Sequence, residues 1–340
     1  ELTYAGQEIA VRDTVGTAFE NDYQGIEISL SKVMENDEKF GISAEESYKN
    51  VRFGLFAAKD ITASNGTLIP AGGLISAVSL DENMTAVIAE KIPFGKYYVQ
   101  EIATDEHYVL NGEKYLVTFE YMGQDIQTVD IDCGEFENVI KRGRIEGHKT
   151  DDKSEPLENA LFGLFAVDTA EFTADNAYMT AVSDENGHFE FDKIPYGEYI
   201  VREIEAPTGY ILSDESYPVT ISEDGEVIEI KAVNKSTKVR ISKQDITTGE
   251  ELPGATLQII DEDGNVATEW VSTDEAHFIE GKLIAGKEYT LRETIAPDGY
   301  EIASEIKFTV NTDGSVTEVV MYDEHTPDLE IPPTVTIDTP

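Results

Sequence analysis

The chain has 340 residues, too many for one compact core and enough for two to four domains of ordinary size. Its 25 Lys and Arg against 68 Asp and Glu leave a net charge of −43, which argues against nucleic acid and against contact with anionic membranes. Hydrophobic residues at 40% suffice for modest cores, and the single Cys133 excludes both an intrachain disulfide and a cysteine-based metal site.

Beginning with Glu1, the chain reads as a piece of a longer protein. Within residues 1–24, YAGQEI (4–9) matches YMGQDI (121–126) and FEN (19–21) matches FEN (136–138) at one common offset. The segment is therefore predicted to be the last strands of a preceding, truncated unit. Unit one, 25–141, opens on the alternation Ile26, Ile28, Leu30. It continues through an acidic insert (33–50) with room for a helical turn, VRFGLFAA (51–58), a loop (60–75) and KIPFGKYYVQEI (91–102). Unit two, 142–236, repeats the scheme with ALFGLFAV (160–167) and KIPYGEYIVREI (193–204). Unit three, 237–326, does so with GATLQII (254–260) and LIAGKEYTLRET (283–294). The Pro- and Thr-rich residues 327–340 read as an extended linker.

Within every unit the hydrophobic period is two, and short strands are separated by Gly- and Asp-rich turns such as EDG (223–225) and TDG (312–314). The predicted class is all-β, a tandem array of Ig-like sandwiches arranged end to end. The alternation then breaks in a repeated way. The apolar face of each opening strand ends on a lysine: Lys32, Lys149 after the Gly147-broken strand of unit two, and Lys243. The strand after each KIP-like turn carries a glutamate on its apolar face: Glu101 beside Tyr97 and Val99, Glu203 beside Tyr199 and Val201, Glu293 beside Tyr289 and Leu291. The final strand supplies Asn138, Asn234 or Asp323. A charge is expensive to bury, and a violation repeated three times points to a site.

Two chemistries fit such a trio. One is a buried ion-paired network with no bond. In the other, desolvation makes the lysine amine neutral and nucleophilic and keeps the glutamic acid protonated as a proton shuttle. The amine attacks the Asn or Asp carbonyl, expelling ammonia or water and leaving an isopeptide between the first and last strands. Proximity drives the reaction, since fixed neighbours reach effective concentrations of about 10⁵ M or more.

The motifs REIEAPTGY (202–210) and RETIAPDGY (292–300), the openings HKTDD (148–152) and SKQDI (242–246), and the closings AVN (232–234) and VVMYDE (319–324) resemble the CnaB-type, SpaA-like prealbumin-fold domains of Gram-positive adhesins and pilins. The resemblance implies three intramolecular bonds, Lys32–Asn138, Lys149–Asn234 and Lys243–Asp323, assisted by Glu101, Glu203 and Glu293. It marks 1–24 as the end of a CnaB-like unit whose Asn21 is an acceptor without a lysine. Unit one departs from the pattern, because Glu101 is followed by IATDEHY with neither the Pro nor the Gly.

The function expected is a structural stalk of a cell-wall-anchored surface protein, extracellular and non-enzymatic apart from its single-turnover crosslinking. It needs no cofactor and no metal. Its partners are neighbouring domains of the same protein, and sortase and the cell wall through parts outside this stretch. The alternative is a module that binds host matrix protein or glycan through unit one. A backbone pilin is disfavoured, because the nearest string to a sortase-acceptor motif is Tyr217-Pro218-Val219 and no LPxTG-like motif is present. Gly281–Lys287 has the spacing of a phosphate loop, but Glu288 stands where Ser or Thr is needed and a strand follows, so it reads as a turn. His107, His148, His188, His277 and His325 show no ligand spacing, and the acidic turn 261–264 lacks a calcium-loop pattern. Cys133 reads as a small strand residue whose thiol would be oxidisable outside the cell.

Overall fold

The computed structural model describes residues 2–5, 8–11, 23–63 and 65–327. Alternation governs it. The opening strand Gly25–Met34 buries Ile26, Ile28, Leu30, Lys32 and Met34, because successive side chains on a strand point to opposite faces. The strand Arg142–Asp151 turns Ile145, Gly147, Lys149 and Asp151 inward, and Lys238–Asp245 does so with Val239, Ile241, Lys243 and Asp245. Helix among the described residues is limited to Ala44–Ser47, capped by the Ser43 hydroxyl, and to 3-10 turns at Tyr48–Asn50 and Ala174–Asn176. The first two lie in the acidic insert. The loop at 60–75 contains a small hairpin, Ile61–Thr62 with Leu68–Ile69.

One arrangement of strands occurs three times, a three-stranded sheet accompanied by a four-stranded one. In the first, Gly25–Met34 lies between Thr128–Asn138 and Thr85–Glu90, and the companion sheet runs Lys114–Phe119, Gly95–Ala103, Arg52–Ala57, Leu74–Ser79. In the second, Arg142–Asp151 lies between His188–Pro195 and Val227–Asn234, with Met179–Val182, Leu161–Ala166, Gly197–Glu205 and Ser216–Ile221 alongside. In the third, Lys238–Asp245 lies between His277–Glu280 and Val316–Asp323, with Val266–Val271, Thr256–Ile260, Glu288–Ile295 and Ile306–Thr309 alongside. Most pairs are antiparallel, as the turns predict. The opening and closing strands are the exception: Gly25–Met34 pairs in parallel with Thr128–Asn138, and Lys238–Asp245 with Val316–Asp323.

The chain falls into two compact units, residues up to 144 with 192–198 and 220–228, and residues 145–191 and 199–219 with 229 onward. The core of the former packs Ile26, Ile28 and Leu30 against Phe53, Leu55 and Val99, residues of the two facing sheets. In the latter, Val239 and Ile241 pack with Leu257, Leu291 and Met321. Leu2–Ala5 and Glu8–Val11 pair antiparallel as a hairpin. Asn21, and all but the first residue of the 327–340 linker, lie outside the described residues.

Gly147 does not break its strand. A Cβ there would come within 2.0 Å of the Phe189 ring, which occupies the space an aliphatic side chain fills in the other two opening strands. Phe189 in turn stacks on Phe162 of the four-stranded sheet, ring centres 3.9 Å apart. The glycine thus admits a large aromatic over the lysine strand. Gly147→Ala is expected to lower stability by about 1–3 kcal/mol through overpacking, read as a lower urea midpoint.

Candidate functional site

The three lysines, three glutamates and three acceptors are all buried, none more than 4% exposed. Strand register places them. In the parallel pairs Lys32 stands opposite Phe136 and Lys243 opposite Met321. The acceptor two residues further on, Asn138 or Asp323, is therefore the diagonal neighbour on the same face, within reach of a long side chain. The glutamates come from the other sheet, with Glu101 paired to Phe53, Glu203 to Phe162 and Glu293 to Leu257. Each is followed by one residue left out of the pairing, Ile102, Ile204 or Thr294. A bulge of this kind re-aims the adjacent side chain, and the sequence pattern did not reveal it.

In the first site Lys32 Nζ donates to Asn138 Oδ1 at 2.7 Å and lies 3.3 Å from Glu101 Oε1. Asn138 Nδ2 donates to Glu101 Oε1 at 2.9 Å and to Thr104 Oγ1 at 2.7 Å. Thr104 stands where the E-x-x-A motif of the other repeats has Ala206 or Ala296, so the departure from pattern in unit one supplies an extra acceptor that orients the amide. The Phe53 ring lies 5.9 Å from Lys32 Nζ and contacts Phe136 edge-on. Burial in this apolar setting pulls the Lys32 amine below its ordinary pKa, outweighing the opposing pull of Glu101.

In the third site Lys243 Nζ contacts Asp323 Oδ1 and lies 3.1 Å from Glu293 Oε1. Desolvation holds the Glu293 carboxyl above the usual carboxylate range. Glu293 Oε1 and Asp323 Oδ2 are buried without a hydrogen bond.

The second site is only partly assembled. Asn234 Nδ2 donates to Glu203 Oε1 at 2.9 Å. Lys149 Nζ instead donates to the Thr150 carbonyl at 3.2 Å, and Asn234 Oδ1 is buried without a partner. Desolvation lowers Lys149 to about 8 and raises Glu203. Both shifts run toward the neutral amine and protonated acid that nucleophilic attack uses, although lysine and amide are not hydrogen-bonded.

Two further groups escaped the sequence reading. Each glutamate's Oε2 accepts a hydrogen bond from the backbone N–H ten residues later: Asn111 at 2.7 Å, Ser213 at 3.0 Å and Ala303 at 2.7 Å. Beside the third site Asp245 Oδ2 accepts from Tyr300 Oη at 2.7 Å, and its Oδ1 from the amides of Thr247 and Thr248. The tyrosine hydroxyl, with those amides, holds this carboxyl down to about 2.

The remaining motifs find local roles. Gly281–Lys287 leads into the strand Glu288–Ile295, and the Ile284 N–H donates to Tyr289 Oη. Asp261 is engaged by the amides of Asp263 and Asn265 in its own turn. Cys133 is buried, and burial pushes its thiol up to about 12, far from the reactive thiolate.

The SpaA family, described as a prealbumin-like fold domain, matches residues 143–236 and 237–325, more than half of the chain. This chain belongs to the SpaA family. The two matches contain the second and third sites entire, while Lys32, Glu101 and Asn138 lie outside them. Among curated proteins the chain is similar to a collagen adhesin of Staphylococcus aureus, 23% identical over 297 residues, covering 82% of this chain and 24% of the adhesin. It is also similar to the trypsin-resistant surface T6 protein of Streptococcus pyogenes serotype M6, 28% identical over 117 residues, 34% of this chain and 21% of that protein. The chain thus spans a quarter or less of the length of these relatives. In fold it resembles the Bacillus anthracis TIE protein, with a TM-score of 0.54 at 23% identity over 89% of this chain and 52% of that one.

Proposed function

We propose that this SpaA-family chain is a structural stalk region of a cell-surface adhesin or accessory pilin of a Gram-positive bacterium, stiffened by intramolecular Lys32–Asn138, Lys149–Asn234 and Lys243–Asp323 isopeptide bonds. The observation that carries the proposal is the threefold burial of a lysine, a glutamate and an amide or acid, set by equivalent strands in each case. The similarity to a collagen adhesin and to a streptococcal surface protein supports the extracellular setting.

The reaction balances within each site. Lys32 Nζ, whose burial pulls it toward the neutral amine, passes a proton to Glu101 Oε1. The free amine attacks Asn138 Cγ. Glu101 Oε1, already bonded to Nδ2, returns its proton to that nitrogen, which departs as ammonia once the attacking nitrogen has lost a proton to the carboxylate so regenerated. At Asp323 the protonated acid loses water by the same path. The closed loops span 106 and 80 residues in the first and third sites and about 85 in the second.

Intact mass under denaturing conditions tests this. The expected deficit is two ammonia and one water against the mass calculated from the sequence. A full calculated mass would leave the trios as ion-paired networks and remove the crosslinked stalk.

A further inference from the structure

Resting on that condensation, we propose that the backbone N–H ten residues after each glutamate is a positioning group. It occupies Oε2 and so confines the carboxyl proton to Oε1, the oxygen that faces the reacting atoms. An N–H can only donate, so the oxygen it engages serves best as the carbonyl oxygen of a protonated acid. The proton then sits on the other oxygen. In the first two sites Oε1 contacts the acceptor's Nδ2, and in the first and third it lies beside the lysine Nζ. In the first site, where Oε1 lies against both groups, proton pick-up from lysine and delivery to the leaving nitrogen share one oxygen, with no rotation of the carboxyl between the two steps.

The donors Asn111, Ser213 and Ala303 have unrelated side chains, so only the main chain is common to them. Their placement follows from a second repeated feature. Eight residues after each glutamate, an amide donates at 3.0 Å to the closing strand just beyond the acceptor: Val109 to the Val139 carbonyl, Ile211 to Lys235, Glu301 to Glu324. Bridges from Tyr108, Tyr210 and Tyr300 to Ile140, Ser236 and His325 adjoin them. The segment that holds Oε2 is therefore hung from the strand that carries the acceptor, so carboxyl and acceptor are located by one framework.

The test replaces Ala303 with lactic acid during cell-free synthesis of the full chain, exchanging the N–H for an ester oxygen. Samples are quenched in denaturant over time, and the peptide joining Lys243 to Asp323 is quantified by mass across a pH series. Condensation is expected to slow about tenfold, the equivalent of losing a hydrogen bond to an ionisable group. The alkaline limb of the rate should also move to higher pH, because Glu293, which faces Lys243 and Asp323, loses a donor that favours its ionised form. The same ester at Ile302 should leave rate and limb unchanged. If the Ala303 ester does not fold, Ser213 replaced by its hydroxy-acid analogue asks the same question through the Lys149–Asn234 peptide. Unchanged rate and pH profile would overturn the assignment. A wild-type chain that never condenses would overturn the crosslinking proposal itself.

Discussion

Glu203→Ala and Glu293→Ala are each expected to return their own site to its uncondensed mass while leaving the other crosslinks in place. Without the carboxyl nothing takes the proton from lysine or hands it to the leaving group. Removing the acceptor instead, with Asn234→Ala or Asp323→Ala, adds an energetic consequence. Loops of 80 and about 85 residues are no longer closed, and by analogy with disulfides about 4–5 kcal/mol of stability is lost at each site. For a folding unit of this size that lowers Tm by about 20 °C or more. Calorimetry of the two variants, with mass measured on the same samples, provides the check. A variant that keeps its mass deficit would refute the assigned pair, and one that loses the bond but melts like wild type would refute the energetic role.

The second large effect concerns pH. In Asn234→Ala, Lys149 remains an amine with a pKa lowered by burial to about 8 from an unfolded value of 10.5. Between those values the unfolded chain binds a proton that the folded chain does not, so stability rises with pH. The penalty is complete below about pH 8 and vanishes above about 10.5, a gain of about 3 kcal/mol across the window. In a wild type carrying the proposed crosslink this nitrogen is an amide and titrates nowhere in that range. Urea midpoints at pH 7.5 to 11, taken as variant against wild type, should therefore converge as pH rises. Parallel curves would place the Lys149 amine in water and refute its burial as a free base.

The all-β class and the residues of the trios were legible because strand alternation makes a buried charge visible. Lys32 follows Ile26, Ile28 and Leu30 on one face, and no local rule puts it there. Gly147 was misleading for the complementary reason: its meaning lies in Phe189, across the sheet and distant in sequence. The bulges after Glu101, Glu203 and Glu293 arise from pairing with another strand, and a list of side chains does not record pairing. The amides of Asn111, Ser213 and Ala303 were illegible in principle, since every residue but proline carries one. The absent Pro and Gly after Glu101 weakened the likeness of unit one, yet there Thr104 adds an acceptor and the contacts are the most complete of the three.

The parallel pairing of opening and closing strands has a mechanical consequence. A pull on the chain enters near Lys238 and leaves near Asp323, at opposite ends of neighbouring strands, so the ladder between them is sheared rather than unzipped. With the proposed amide in place, the path runs from Lys243 straight to Asp323, and residues 244–322 between them carry no tension. At a fully extended reach of about 3.5 Å per residue, roughly 280 Å of slack stays locked away in that loop alone. Under a force that would unravel an ordinary β-sandwich, such a tether lengthens by the stretch of a few strand residues and springs back.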